Sequence, residues 1–371
     1  MDMILNVIRT TAILTAISAA LAIIISIAER YLNNYGECKL DINDGSRELV
    51  VDGGSNLLTT LASQKIFIPS ACGGKATCGL CKLQVIEGAG PLLPTEEPYL
   101  TEKERNDHFR LACQIKVKTN MKLLIPEDLF NIKEYVTTVE SIKDLTHDIK
   151  EVRMKLPEGE EVNFKAGQFM QFYTKPYGKV TEEVFRAYSI SSPPQDKNHI
   201  ELCIRQVPEG ICTTFVHTAL KEGDTQILSG PYGDFWYRGN CDTMVMVAAG
   251  SGLAPMRALI YDNLNKKVDV KMVFYFGARS EEDLYYVEEF TKLAEEHDNF
   301  TYIPTLSRPK GEWSGEKGRV TDLLERDFED KVGALNKEAY LCGSPAFLKS
   351  VNEVLEKKGF DKETQIYYDE F

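Results

Sequence analysis

The sequence predicts a multidomain chain of α+β and α/β architecture, and three observations predict it. An uncharged run near the N-terminus reads as a transmembrane helix. The segment from about Asn131 to Arg238 is broken into short, turn-punctuated strands, the texture of an antiparallel β-barrel. From Asn240 onward, continuous apolar runs alternate with helical patterns, as in a doubly wound parallel sheet covered on both faces. A length of 371 residues accommodates two or three such domains. The net charge of −13 argues against nucleic acid as a partner.

Residues 1–32 form the expected membrane anchor. Thr10 to Ala28 carry no charge, and at about 1.5 Å per residue this stretch nearly matches a ~30 Å hydrocarbon core. A cleaved signal peptide fits less well, because Asp2 replaces a basic cluster and no A-x-A site follows. A buried globular helix would be unusually uniform. Arg9 on one side and Arg30 and Lys39 on the other leave little charge bias. Two rows of small residues, Thr11, Thr15, Ala19 and Ser18, Ala22, Ser26, suit close approach to a second helix in lipid.

Residues 36–126 form the next domain. CKLDIN and RELVVDG read as strands joined by the turn Asn43-Asp44-Gly45, NLLTTLASQK as a short helix, and CKLQVIEG as a returning strand. EEPYLTEKERNDHF reads as an exposed helix leading back to RLACQ. The Gly-rich run CGGKATCGLC places Cys72, Cys78 and Cys81 in one loop with Cys-x5-Cys-x2-Cys spacing, and Cys113 follows after a long gap. Four thiolates complete a ferredoxin-type [2Fe-2S] cluster, whose irons take soft sulfur ligands. A structural zinc site usually offers two short Cys pairs, and a disulfide framework suits small secreted domains; both fit less well. The element order resembles that of a β-grasp ferredoxin. Of the remaining cysteines, Cys38, Cys203, Cys212 and Cys241 read as packing residues.

Residues 130–238 are the expected barrel, with strands in YVTTVESIKD, IKEVRMKLP, QFMQFYTK, FRAYSISS, HIELCIRQV and DTQILSG. In FRAYS, Arg186 offers a planar fork for a flavin phosphate, Tyr188 a ring for the isoalloxazine, and Ser189 a hydroxyl for flavin N5. Gly210, Cys212, Thr213 and Thr214 stand at an expected helix start, where backbone N–H groups suit a pyrophosphate. Each feature alone is unspecific; their order and separation point to a flavin site.

Residues 239–371 are the expected nucleotide domain. In VMVAAGSGLAPMRALI a buried strand ends at Gly250-Ser251-Gly252 and a helix begins near Pro255. The glycines permit close backbone approach, and the helix start faces phosphates. The run is not GxGxxG. LCGSP ends another strand at the same sheet edge, which places Cys342 either near the nicotinamide ring or simply in the packing. Glu281, Glu282 and Asp283 after FGARS favour NADH by repelling a 2′-phosphate, while Arg279 and Arg308 pull the other way.

Taken together, these residues resemble the ferredoxin–NADP⁺ reductase superfamily fused to a [2Fe-2S] domain, and within it the family of F subunits of Na⁺-translocating NADH:quinone oxidoreductases. The cysteine spacing, RLACQ, FRAYS, FGARS and YYVEEF carry the resemblance, which spans the whole chain. It implies FAD, one [2Fe-2S] cluster and NADH as substrate. The flavin motif falls on Arg186, Tyr188, Ser189, Gly210 and Thr213, the nicotinamide motif on Gly250, Gly252, Pro255, Cys342 and Gly343, and the aromatic beside the flavin on Phe371. The expected role is electron transfer from NADH through FAD and the cluster to membrane subunits of a redox complex, towards quinone. The expected place is the cytoplasmic face of the inner membrane. Two other readings are a reductase feeding an oxygenase or other soluble acceptor, and a membrane-tethered iron–sulfur sensor without flavin.

Overall fold

The computed structural model describes residues 9, 11–24, 35–329 and 334–370. Residues 11–24 are helical (α1), with the Thr15 hydroxyl donating to the Thr11 carbonyl at 2.8 Å. Their apolar side chains, among them Ile13, Leu14, Ile17 and Leu21, are exposed. Among the described residues no helix is long and apolar enough to cross a membrane. Thr10 and 25–28, the rest of the expected span, lie outside the described residues.

Contacts divide the chain into two units, the first holding residues up to 68 and 74–131, the second 69–73 and 132–371. The first contains β1 (Glu37–Ile42), β2 (Arg47–Asp52), α2 (Leu57–Ser63), β3 (Lys82–Glu87), α3 (Glu102–Asn106), β4 (Phe109–Leu111) and β5 (Met121–Leu124), in the sheet order β2-β1-β5-β3-β4. β1 and β5 run parallel and the other pairs antiparallel. The β1–β2 turn forms because Asn43 and Asp44 tolerate left-handed φ values of 54° and 53°. The Asn43 side chain then clamps Ile125, donating to its carbonyl at 2.9 Å and accepting from its N–H at 2.8 Å. Asn56 caps α2 by accepting from the Thr59 N–H. The expected helix in EEPYLTEKERNDHF is broken into a 3-10 turn, Glu97–Tyr99, and α3. Leu100 turns into the core between them, and Thr101 restarts the helix through a capping box with Glu104.

The second unit begins with β6 (Lys133–Asp144), β7 (Ile149–Lys155), β8 (Phe169–Tyr173), β9 (Phe185–Ser189), β10 (His199–Arg205), α4 (Ile211–Thr218) and β11 (Thr225–Tyr232). Their order is β10-β7-β6-β11-β8-β9, with antiparallel neighbours. A bridge between Ile190 and Leu202 joins the two edges, so the sheet nearly closes on itself. Phe172, Ile190, Leu202 and Leu228 fill its interior.

Next come β12 (Thr243–Ala249), α5 (Leu253–Asn265), β13 (Lys271–Ala278), α6 (Val287–Glu296), β14 (Phe300–Leu306), β15 (Glu316–Lys317), α7 (Val320–Asp327), β16 (Lys337–Gly343), α8 (Pro345–Lys357) and β17 (Ile366–Glu370). They form a parallel sheet in the order β15-β14-β13-β12-β16-β17. Alternate β12 residues feed two cores. Met244, Met246 and Ala248 pack with α5, while Val245 and Val247 pack with α7 and α8. That two-faced burial explains why these strands read as continuous apolar runs. Strand order reverses between β12 and β16, the kind of switch point that leaves a crevice at the carboxyl edge.

Candidate functional site

The cysteine loop lies before β3. Cys72 and Cys78 are half-buried, and Cys81 and Cys113 are buried. Gly79 is required here: its φ is +68°, and a Cβ would stand 2.7 Å from the Tyr99 ring. The Ala112 N–H donates to the Cys81 carbonyl at 2.8 Å, bringing the RLACQ segment against the loop. The Gln114 amide donates to the Cys113 sulfur at 3.6 Å, a contact that the cysteine spacing alone does not reveal. The neighbouring Cys113 side chain, then burial, push the Cys81 thiol far above its ordinary value, with Cys78 adding to the effect. Thiols crowded this way suit iron, whose charge makes thiolates tenable. Among the described residues no three metal-ligating side chains gather as a single-ion site. A two-iron cluster divides four thiolates between two metals, so its ligands need not meet at one point.

Arg186, Tyr188 and Ser189 lie on β9. The Tyr188 ring meets Phe172 edge-on at 6.1 Å. Its hydroxyl is buried beside Cys212 but makes no hydrogen bond of ordinary geometry, and burial raises it well above its usual value. A buried polar atom without a partner is one a bound group would satisfy, and a flavin oxygen fits. Arg186 Nη1 donates to the Phe185 carbonyl at 2.6 Å, and the guanidinium is half-buried. Gly210 precedes α4 as its N-cap. The Cys212 thiol points inward, donating to the Phe172 carbonyl at 3.6 Å. The Thr213 hydroxyl is engaged with Val207 and Gly210. What Cys212 and Thr213 present towards a ligand is therefore first-turn backbone N–H rather than side chain, whereas the Thr214 N–H already donates to the Gly210 carbonyl at 2.8 Å.

At the switch point Gly250 has a φ of +57°, and the Tyr285 hydroxyl donates to its carbonyl at 2.8 Å. A Cβ on Gly252 would stand 2.6 Å from the Cys342 carbonyl carbon, so only glycine permits this approach of the β12 loop to β16. Pro255 is buried in the first turn of α5. A cavity of about 320 Å³ opens here, walled by Gly250, Arg205, Arg279, Asp283, Arg319 and Ser344. Of the three expected carboxylates, Asp283 alone lines it. Glu281 accepts from the backbone N–H groups of Lys310 and Gly311, and Glu282 pairs with Lys310.

Cys342 is fully buried, and burial raises its thiol well above the ordinary value. In register it pairs with Asp369 of β17. Asp369 accepts a hydrogen bond from the Ser189 hydroxyl at 2.9 Å, and burial pushes its carboxyl up to about 6. Sequence reasoning passed over Asp369. Its signal was the run IYYDE, a further short strand at the sheet edge. Gly343 closes β16, and a Cβ there would stand 2.7 Å from the Phe347 ring. Phe371 lies outside the described residues.

Three family models match the chain in order. They are a 2Fe-2S iron-sulfur cluster binding domain over residues 40–118, an oxidoreductase FAD-binding domain over 136–237 and an oxidoreductase NAD-binding domain over 246–353. The F subunit of the Na(+)-translocating NADH-quinone reductase of Pasteurella multocida is 36% identical, covering 97% of this chain and 98% of that protein. The F subunit of Neisseria gonorrhoeae is 35% identical, covering 100% of both. The chain belongs to the family of NADH-quinone reductase F subunits. As a member it is an NADH oxidoreductase with FAD and [2Fe-2S] sites, in keeping with the thiol loop and the orphaned Tyr188 hydroxyl. Among solved structures, the cytochrome P450 reductase GcoB of Amycolatopsis is similar, with a TM-score of 0.71 and 26% identity, covering 90% of this chain and 98% of that one. The ferredoxin reductase of carbazole 1,9a-dioxygenase shares the fold, with a TM-score of 0.67 and 22% identity, covering 91% of this chain and 98% of that one.

Proposed function

We propose that this chain is the electron-input component of a membrane redox complex, accepting hydride from NADH and delivering electrons through its flavin and cluster sites to membrane partners, towards quinone. The observation that carries this reading is the meeting of Ser189, Asp369 and Cys342 beside the Gly250–Gly252 loop. It occurs in a chain matched end to end by quinone-reductase subunits. Bound FAD supplies the exchange between a two-electron donor and a one-electron carrier.

The chain's residues hold and orient the reactants. Arg186 and the α4 amides of Cys212 and Thr213, opened by Gly210, take the flavin phosphates, with Thr214 closing the first turn onto Gly210. Tyr188 supports the ring system. Gly250, Gly252, Pro255 and Gly343 shape the nucleotide seat. Ser189 presents its hydroxyl at the reacting edge, oriented by Asp369, and Cys342 backs the nicotinamide. Phe371, which lies outside the described residues, is the aromatic that the resemblance would set beside the flavin. Cys72, Cys78, Cys81 and Cys113 ligate the irons. The working divisions are 1–32 as a single-pass anchor, then 36–126, 130–238 and 239–371 on the cytoplasmic side of the inner membrane.

The likeness to a P450 reductase favours a second reading, a reductase serving a soluble oxygenase. Deleting residues 2–32 separates the two. The membrane reading expects NADH oxidation with ferricyanide to persist while NADH–quinone turnover in membranes is lost and no membrane subunit co-purifies. Unchanged turnover after the deletion, with a soluble oxygenase as acceptor, would establish the second reading instead.

A further inference from the structure

One buried side chain in the second unit joins the helix that follows the nucleotide loop to the segment just beyond the strand that carries Ser189. Arg257 sits in the second turn of α5, five residues after Gly252. Its side chain is only 13% exposed, and all three guanidinium nitrogens are engaged. Nη1 donates to Glu201 of β10 at 2.7 Å and to the Ser191 carbonyl at 3.3 Å, two residues beyond Ser189. Nε and Nη2 donate to Glu289 of α6 at 2.6 and 3.4 Å. Its plane lies against the Tyr286 ring, 4.8 Å from the centroid.

The surroundings hold this arrangement in place. Glu201 is shared with Arg153 of β7, which also binds Glu140 and Asp196. Tyr286 stands in a left-handed conformation, φ +56°, at the head of α6, and its hydroxyl donates to the buried Glu151 of β7. Glu151 in turn pairs with Lys143 of β6 at 2.9 Å. Barrel strands and nucleotide-domain helices are thus joined by ion pairs through Arg257 and by the ring and hydroxyl of Tyr286.

Buried ion pairs contribute little net stability compared with apolar packing, so stabilisation alone does not account for such a cluster. What a planar fork supplies is geometry, since it bonds well at one distance and angle only. Hydride transfer demands such geometry. Reacting atoms must stand roughly 3–3.5 Å apart, and a displacement of about 1 Å can cost on the order of a hundredfold in rate.

We propose that Arg257, clamped between Glu201 of the barrel and Glu289 of the nucleotide domain, is a positioning residue that sets the spacing between the Ser189 edge and the Gly250–Gly252 loop, and so the rate of hydride transfer from NADH. The proposal rests on Ser189 marking the flavin edge. Neither Lys nor a neutral partner reproduces the fork. Arg257→Lys keeps the charge and loses the planar contact with two carboxylates. Glu289→Gln removes one charge at a partly exposed position and so spares the fold.

The test is rapid mixing of the FAD-loaded protein with NADH, with Ser189→Ala alongside. Arg257→Lys is expected to slow flavin reduction about 10- to 100-fold, with FAD content and the dissociation constant for NADH near wild type. Glu289→Gln is expected to slow it in the same direction by a smaller factor. Hydrogen exchange of the loaded protein is expected to rise together in residues 190–192 and 250–257, a paired response that a purely local packing defect would not produce. Wild-type reduction rates in both variants, with Ser189→Ala slowed, would overturn the role of Arg257. A Ser189→Ala rate equal to wild type would overturn the site assignment beneath it. If Arg257→Lys does not fold, Glu289→Gln decides, and a wild-type rate there overturns the proposal.

Discussion

Two buried carboxylates show how differently the two units handle charge. Glu96 in the cluster unit is fully buried, which by itself would raise its carboxyl. Arg110 overrides that, donating through Nε at 3.0 Å and Nη2 at 2.6 Å, and the Leu111 and Leu93 amides add to it. The carboxyl ends below its ordinary value. Arg110 also binds the Gly90 and Pro91 carbonyls, so this pair ties the 88–97 loop to β4 just before Cys113. Asp369 in the second unit has the Ser189 hydroxyl as partner, and burial wins, raising its carboxyl to about 6. One unit pins its charge and thereby its backbone; the other keeps a carboxyl poised near neutrality where hydride chemistry is proposed.

The largest effect should come from separating the units chemically. Cys113→Ser is expected to abolish the cluster's absorption and paramagnetic signal while NADH still bleaches the flavin. Loss of flavin reduction with the cluster would break the comparison.

The next concerns the pinned pair. Arg110→Met leaves Glu96 buried and unpaired, which should destabilise the cluster unit by about 3–5 kcal/mol. Calorimetry should show an earlier transition together with cluster loss, whereas the flavin transition stays in place.

Asp369 gives a pH-dependent prediction. Its native value of about 6 exceeds the ordinary 3.8, so the folded state holds the proton more tightly. The associated stability is present below about pH 4 and is lost as pH rises through 6, an effect of roughly 1–3 kcal/mol. Asp369→Asn should remove this slope, so that denaturant unfolding of the variant changes less between pH 4 and 7 than that of wild type. A parallel pair of stability curves would show that Asp369 does not titrate in this range.

The smallest effect is in nucleotide choice. Asp283 alone of the acidic trio walls the cavity, next to Arg279. Asp283→Asn should raise kcat/KM for NADPH relative to NADH by severalfold, while Glu282→Gln, altering the exposed pair with Lys310, should not. An equal response in both would place the ribose elsewhere.

Legibility in the sequence followed the same division. The cluster domain was readable because three cysteines, Cys72, Cys78 and Cys81, share one Gly-rich loop, where spacing is itself geometry. The parallel strands were readable because burial on both faces leaves uninterrupted apolar runs, as in β12 and β16. Asp369 was not readable, because its meaning depends on β17 pairing with β16 and on β9 arriving from a different subdomain. The carboxylates at 281–283 were misjudged as a group, since only tertiary contacts with residues 310–311 show which of them face the cavity. Leu100 broke an expected helix for the same reason: its burial competes with local helical preference.

An anaerobic NADH titration of the intact, iron-replete protein, followed at once by visible absorption and electron paramagnetic resonance, tests the central claim most directly. The account predicts that flavin bleaching is accompanied by appearance of the reduced-cluster signal. Complete flavin reduction with every cluster still oxidised would contradict it.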